Sequence, residues 1–346
     1  MKITRLLGFL ILNLLVLNAS VHPLFAKTPT TPKILFTSAR DGNYEVYIMN
    51  PDGSEQVNLT QHRAQDLDAV WSPTGEQILF TSDRGGKRDL YLMNPDGSKV
   101  RRVFKFKTVE WRTSATWSPD GKQFAYRHWD RDGVGDRTYG IYIATLGKQN
   151  VELFGQYSFP AWSPDGTEIA CGAADPAGTW IIFVNVRTRK QERLLPKKSL
   201  PWQREPSWSA TGDKLAFSGN KQPVPPIVDR DLHNAWMDKQ TIFIVNRNGT
   251  GLKQLVDEAG SNAWSPELSP NGEEVLYTQI TKGRNQIFKV NVDSGIQTQL
   301  TNSGGMPRLG NSGGDWFDPD YALSVEPQPH LLTTTWAKIK IKENIQ

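Results

Sequence analysis

The chain has 346 residues, of which 38% are apolar, with 29 Gly, 22 Pro, 12 Trp and a single Cys. That mix fits a turn-rich β protein rather than a helical one. Its 40 basic residues are scattered among 36 acidic ones, which excludes the concentrated positive surface that nucleic acid requires.

At the N-terminus, Lys2 and Arg5 precede an apolar run from Leu6 to Leu17, and Ala26 offers a cleavage point. The run is too short to cross a bilayer, so residues 1–26 are expected to be a cleaved secretory signal, with no membrane span afterwards. The expected location is periplasmic or secreted. No Cys stands near the cleavage point, which argues against a lipid-modified signal. Cys171, in Glu168-Ile-Ala-Cys-Gly172, reads as a small buried hydrophobe, leaving stability to packing instead of disulfides. The basic run from Arg187 to Arg193, followed by Lys197 and Lys198, reads as an exposed hairpin.

From residue 70 onward the chain repeats itself. Trp71-Ser-Pro-Thr-Gly75, Trp117-Ser-Pro-Asp-Gly121, Trp162-Ser-Pro-Asp-Gly166 and Trp208-Ser-Ala-Thr-Gly212 recur about every 45 residues, the size of a four-stranded propeller blade. Leu268-Ser-Pro-Asn-Gly272 follows after a longer interval, and Trp316-Phe-Asp-Pro319 comes last. In each unit a strand ends at Trp-Ser, Pro-Asp-Gly turns, and two further strands lead to a second signature, Asn-Pro-Asp-Gly at 50–53 and 94–97. Pro presets φ for such turns and Gly accepts a positive φ. One such sheet cannot bury both faces alone, whereas sheets arranged radially cover each other. Trp71, Trp117, Trp162, Trp208 and Trp316 are therefore expected to fill the space between sheets. Residues 33–60 match a unit lacking its first strand, and Trp316 opens a unit lacking the rest. The expected fold is all-β: a six-bladed propeller of four-stranded antiparallel blades over residues 33–325, closed by N- and C-terminal segments sharing one blade. A linker at 27–32 and a tail at 326–346 flank it.

The pattern W-S-P-D-G … D-x-Y-x-M-N-x-D-G, written here as Trp71–Gly75 with Asp89-Leu-Tyr-Leu-Met-Asn-Pro-Asp-Gly97, resembles that of the TolB-like (PD40, WD40-like) propellers, over about residues 33–320. The TolB protein itself carries an α/β domain before its propeller, whereas here the blades begin directly after the signal. The resemblance therefore implies a stand-alone exported propeller. It specifies architecture more than function.

Candidate functional residues come from the loops and inner-strand approaches of one rim. They are His62, Asp66, Asp68, Arg112, His128, Tyr157, Arg204, His233, Trp236 and Trp264, with Trp111 and Trp202 beside them. The largest departure from the repeat, residues 219–240, supplies His233 and Trp236 and reads as a long Pro-stiffened loop. Asp130, Asp132 and Asp136, interleaved with Gly, suggest a divalent-cation loop, although their spacing does not fit an EF-hand. Convergence of His62, His128 and His233 would instead make a transition-metal site. Gly310-Asn-Ser-Gly-Gly314 matches a nucleophile elbow in letters only and reads as a flexible connection. The expected function is a monomeric, non-catalytic binding or scaffold module that takes a protein or a glycan at its rim, with no obligatory cofactor. The alternative is a carbohydrate-active enzyme, lyase-like, with a metal-assisted site at the channel mouth.

Overall fold

The computed structural model describes residues 28–105, 111–129, 139–175, 178–196, 199–225, 230–258, 260–302 and 310–323. The signal at 1–26, Asp130, Asp132, Asp136 and the tail at 326–346 lie outside them. None of the helices in the described residues is long and apolar enough to cross a membrane.

The chain begins with β1 (Lys33–Ser38), β2 (Glu45–Met49) and β3 (Val57–Asn58). Next come β4 (Asp66–Trp71), β5 (Ile78–Ser82), β6 (Asp89–Met93) and β7 (Arg101–Arg102). A third group holds β8 (Trp111–Trp117), β9 (Gln123–Trp129), β10 (Gly140–Thr145) and β11 (Val151–Gly155), and a fourth β12 (Ser158–Trp162), β13 (Glu168–Asp175), β14 (Gly178–Asn185) and β15 (Gln191–Arg193). The fifth has β16 (Trp202–Trp208), β17 (Lys214–Asn220), helix α1 (Arg230–Met237), β18 (Thr241–Asn246) and β19 (Lys253–Gln254). The sixth is β20 (Ala263–Leu268), β21 (Glu274–Thr281), β22 (Arg284–Asn291) and β23 (Gln297–Gln299), and β24 (Asn311–Phe317) ends the strands.

Each group is an antiparallel meander, and β24 returns to complete the first, giving the order β24-β1-β2-β3 with Ile34 opposite Trp316. The two ends of the folded chain thus meet in one sheet. The fourth and fifth groups join into an eight-stranded sheet through a single parallel pairing, Thr179 with Trp202.

The repeated letters have local causes. Ser72, Ser118, Ser163, Ser209 and Ser269 each turn their Oγ back to accept the backbone N–H five residues on, at 2.9–3.2 Å. The glycine that closes each turn has φ between 66° and 75°, a region costly for a residue with a Cβ. In the second signature a Cβ on Gly97 would lie 2.2 Å from the Leu59 carbonyl oxygen, and one on Gly53 2.6 Å from that of Leu300. These glycines let neighbouring groups touch main chain to main chain.

Apolar packing fills the gaps between consecutive groups. Trp71 packs with Leu35, Val46 and Phe80, its ring 5.2 Å from Phe317. Trp117 sits with Leu79 and Leu92, Trp162 with Ala125 and Ile141, and Trp208 with Ala170 and Phe183. Leu268 takes the equivalent place against Ala216 and Ile242, and Trp316 lies against Ile34, Leu276 and Ile287. Cys171 is fully buried within the cluster around Trp162.

Two local expectations need correction. Residues 219–240 are not wholly loop: Arg230–Met237 forms α1, anchored by the buried Trp236, while Leu232 one turn earlier stays exposed. Residues 311–314 are not a flexible connection but part of β24, with Ser312 opposite Thr37 and the strand continuing past the Ser to Phe317.

Candidate functional site: a cavity lined by the first strand of every sheet

Six strands share one irregularity. Between Leu67 and Val70, Thr113 and Thr116, Ser158 and Ala161, Arg204 and Ser207, and Trp264 and Glu267, two residues oppose one on the partner strand. The same bulge occurs in β24, where Gly313 and Gly314 oppose Phe36. The first bulge residue is left-handed in every case: Asp68 (φ 53°), Ser114 (51°), Phe159 (53°), Glu205 (57°), Ser265 (49°) and Gly313 (65°). Bulges of this kind re-aim side chains, and here they line one cavity of about 280 Å³ that draws on all six strands. A second space of about 330 Å³ lies at the Trp-Ser-Pro end of the same strands.

The residue preceding each repeat Trp, or Leu268, lines that second space. There Asp315 Oδ2 accepts the Trp71 N–H at 2.5 Å, Thr116 Oγ1 the Trp162 N–H at 3.3 Å, and Ser207 Oγ the Leu268 N–H at 2.9 Å. Side chains at this level tie each sheet to the next. Two of them are acids on adjacent strands, Glu267 and Asp315. Burial and the neighbouring Asp315 push the Glu267 carboxyl well above its ordinary range, against a hydrogen bond from Ser207. Burial pushes Asp315 up to about 7, against the Trp71 N–H.

In the 280 Å³ cavity stand Asp68, Glu205 and Trp264. Water reaches Asp68, but protein surrounds it, and the lost hydration raises its carboxyl while Arg88 draws it back. Glu205 Oε2 accepts the Ser218 hydroxyl at 2.8 Å and the Ser265 N–H at 2.9 Å. Arginines and aromatic rings alternate beside the cavity: Arg127 lies 5.8 Å and Arg204 4.4 Å from the Phe159 ring, and Arg204 also 5.5 Å from Trp202.

The structure sorts the rim candidates unevenly. Asp68 and Trp264 line the cavity, and Arg204 stacks on Phe159, which lines it too. Asp66 is fully buried and bound to Arg84 at 2.7 Å, so it supports the sheet instead of presenting itself to a ligand. Arg112 reaches the buried Asp89 at 3.2 Å and lies 4.0 Å from the Phe104 ring. Trp236 is also buried; its indole N–H donates to the Gln222 carbonyl at 2.9 Å and its ring meets Trp202 edge-on, anchoring α1. Tyr157 turns toward the outer strand, its hydroxyl oxygen accepting from Gln191 at 2.8 Å.

The three histidines do not converge. His62 occupies a surface dent with Asp41 and Glu45, its Nδ1 accepting the Ala64 N–H. His128 is buried against Tyr142, and His233 sits on α1 beside Trp236. Among the described residues, no three His, Cys, Asp or Glu are grouped to hold a metal ion.

Glu205, Glu267, Asp315, Phe159 and Arg127 were not marked by sequence reasoning as candidates. The repeat itself carries the signal: counting three residues back from each Trp reaches the bulge ring, and counting one back reaches the ring holding Glu267 and Asp315.

Residues 18–134 match the family model of the TolB beta propeller domain. An uncharacterized protein of Agrobacterium fabrum, Atu1656, is 28% identical over 171 residues, which cover 47% of this chain and 53% of that protein; the chain thus matches about half the length of this relative. TolB from Acinetobacter baumannii superposes with a TM-score of 0.65 at 18% identity, covering 82% of this chain and 66% of that one. A putative TolB from Agrobacterium tumefaciens gives 0.58 at 18% identity, covering 82% and 91%. At such identities these structures speak for the fold alone. The repeat signature and the sheets it builds agree with these findings: residues 18–134 resemble the TolB beta propeller domain, and the all-β fold of antiparallel, mostly four-stranded sheets is similar to that of the TolB structures.

Proposed function

We propose that this protein is an exported, monomeric, non-catalytic binding propeller of six blades that receives a protein or a glycan at the cavity mouth around Asp68, Phe159, Glu205 and Trp264. The cycle of contacts among first strands supports closure: β24 meets β4, then β8, β12, β16 and β20 follow in turn, and β20 meets β24 again. The observation carrying the binding reading is the bulge ring, which directs one residue from each of these strands into a single cavity. Concave sites with a few convergent polar groups and aromatic walls are where ligands dock. Nothing among the described residues favours the lyase alternative, whose converging histidines are dispersed.

The test is capture from a cell-envelope extract by the immobilised protein, beside a Trp264→Ala/Asp68→Asn variant that melts normally. Loss of a specific captured species by the variant is expected. Identical capture by both proteins refutes the assignment to this mouth. Appearance of the signal-free chain in the cytoplasmic fraction alone refutes export.

A further inference from the structure

The guanidiniums of this protein fall into two kinds. Arg84, Arg102, Arg112 and Arg247 each reach a carboxylate at 3.2 Å or less. Arg127 and Arg204 have no ion pair among the described residues. Both are partly buried. Loss of hydration holds Arg204 below its ordinary range; Glu205 opposes this and the like charge of Arg127 adds to it. Two partly buried like charges near one another, offset only in part by Glu205, are costly.

Their geometry is fixed. Arg204 lies over Phe159 and Trp202, and Arg127 lies 5.4–5.8 Å from Tyr139, Trp129 and Phe159. Arg127 Nε is shut off from water and has no acceptor. Stacking on rings immobilises a guanidinium and leaves its N–H edge for an in-plane acceptor, the geometry that suits a carboxylate. Phe159, which both guanidiniums approach, shares the cavity wall with Asp68, open to water, with Glu205 and with the half-buried Trp264 indole.

Resting on the binding reading above, we infer that this mouth takes a carboxylate-bearing glycan, a uronate-type chain lying across Arg127 and Arg204. Its carboxylates meet the two guanidiniums, its hydroxyls donate to Asp68, and a sugar ring packs on Trp264. A neutral glycan leaves the guanidiniums unanswered. An acidic polypeptide supplies carboxylates on flexible stems that must be frozen on binding, and it offers Asp68 no array of hydroxyl donors.

The probe is a short oligoglucuronate, titrated calorimetrically against the full protein beside a neutral glucan oligomer of equal length and poly-glutamate. The oligoglucuronate is expected to bind at least about tenfold more tightly than either, and more weakly as salt rises. Arg127→Gln/Arg204→Gln is expected to lose at least about tenfold. Arg204→Lys keeps the charge without the planar fork, gives an intermediate loss, and separates recognition from a folding defect. Arg189→Gln, on the outer face against Glu152, binds as the parent does. Full affinity in the double Gln variant, equal binding of the neutral oligomer, or preference for poly-glutamate overturns the inference. If the oligoglucuronate does not bind while Trp264→Ala/Asp68→Asn still abolishes envelope capture, the inference falls and the binding reading stands. If capture is also unaffected, both fall.

Discussion

The ring of residues preceding each repeat Trp divides into two arcs. Val70, Thr116 and Ala161 make a neutral arc, and Ser207, Glu267 and Asp315 make a second arc that carries two acids. The acidic arc lies where the returning strand β24 meets β20 on one side and β4 on the other. In the neutral arc Thr116 ties one sheet to the next with an uncharged hydroxyl. In the acidic arc Asp315 does the same with a carboxylate beside a second carboxylate. The comparison teaches that one inter-sheet device is built in two chemistries, and that only the version at the meeting of the chain's ends responds to pH.

The largest effect is expected from removing that meeting altogether. Deleting residues 311–346 strips β24 from β1 and exposes a strand edge, and cooperative thermal unfolding should be lost. A truncated protein melting in one sharp transition near the parent temperature would contradict a shared closing sheet.

Next in size is the neutral arc's core. Trp117 is 7% exposed and surrounded by Leu79, Leu92 and Phe124, so Trp117→Ala should cost about 3–5 kcal/mol in denaturant unfolding. Trp316, partly exposed at the other arc, should cost less when changed to Ala, since less apolar surface is lost. Equal costs would show that the closing sheet is packed as tightly as the others.

The pH prediction sharpens the contrast. The folded protein holds its proton on Asp315 up to about 7, well above the ordinary value of 3.8, so between these values it binds more protons than the unfolded chain. Stability therefore falls as pH rises through that window. Asp315→Asn retains a carbonyl acceptor for Trp71 and removes the charge, and it should flatten the fall in melting temperature between roughly pH 4 and 7. An unchanged slope would move the titration to another group.

The smallest effect belongs to Thr116→Val, which removes one hydrogen bond to the Trp162 N–H. A cost of about 0.5–1.5 kcal/mol, independent of pH, is expected from urea titrations at two pH values.

The sheets were legible in the chain because their causes are local. Ser118 accepting the Gln123 N–H and Gly121 at φ 66° are events inside six residues, and they recur wherever the letters do. The pairing of β1 with β24 was legible too, because residues 33–60 match a unit without its first strand. The site was not legible in the same way. Phe159, Glu205 and Asp68 come together only because three separate strands bulge at the same height, a relation no single segment states. His128 and Asp66 drew attention as polar residues near a rim, yet the bulge and pairing put them inside the sheets. The α1 helix was obscured by the prolines and charges preceding it, and of its apolar residues only Trp236 turns inward while Leu232 stays exposed.

The bulge ring has a consequence for how such a protein diversifies. Its six left-handed positions already carry Asp, Ser, Phe, Glu, Ser and Gly, so the main-chain geometry there is indifferent to chemistry so long as branching at Cβ is avoided. The perimeter, by contrast, is gauged by glycines such as Gly53 and Gly97, which admit no replacement without prying neighbours apart. A combinatorial library confined to the six bulge positions would recast the lining of the cavity while the main-chain seams between neighbouring sheets stay as they are.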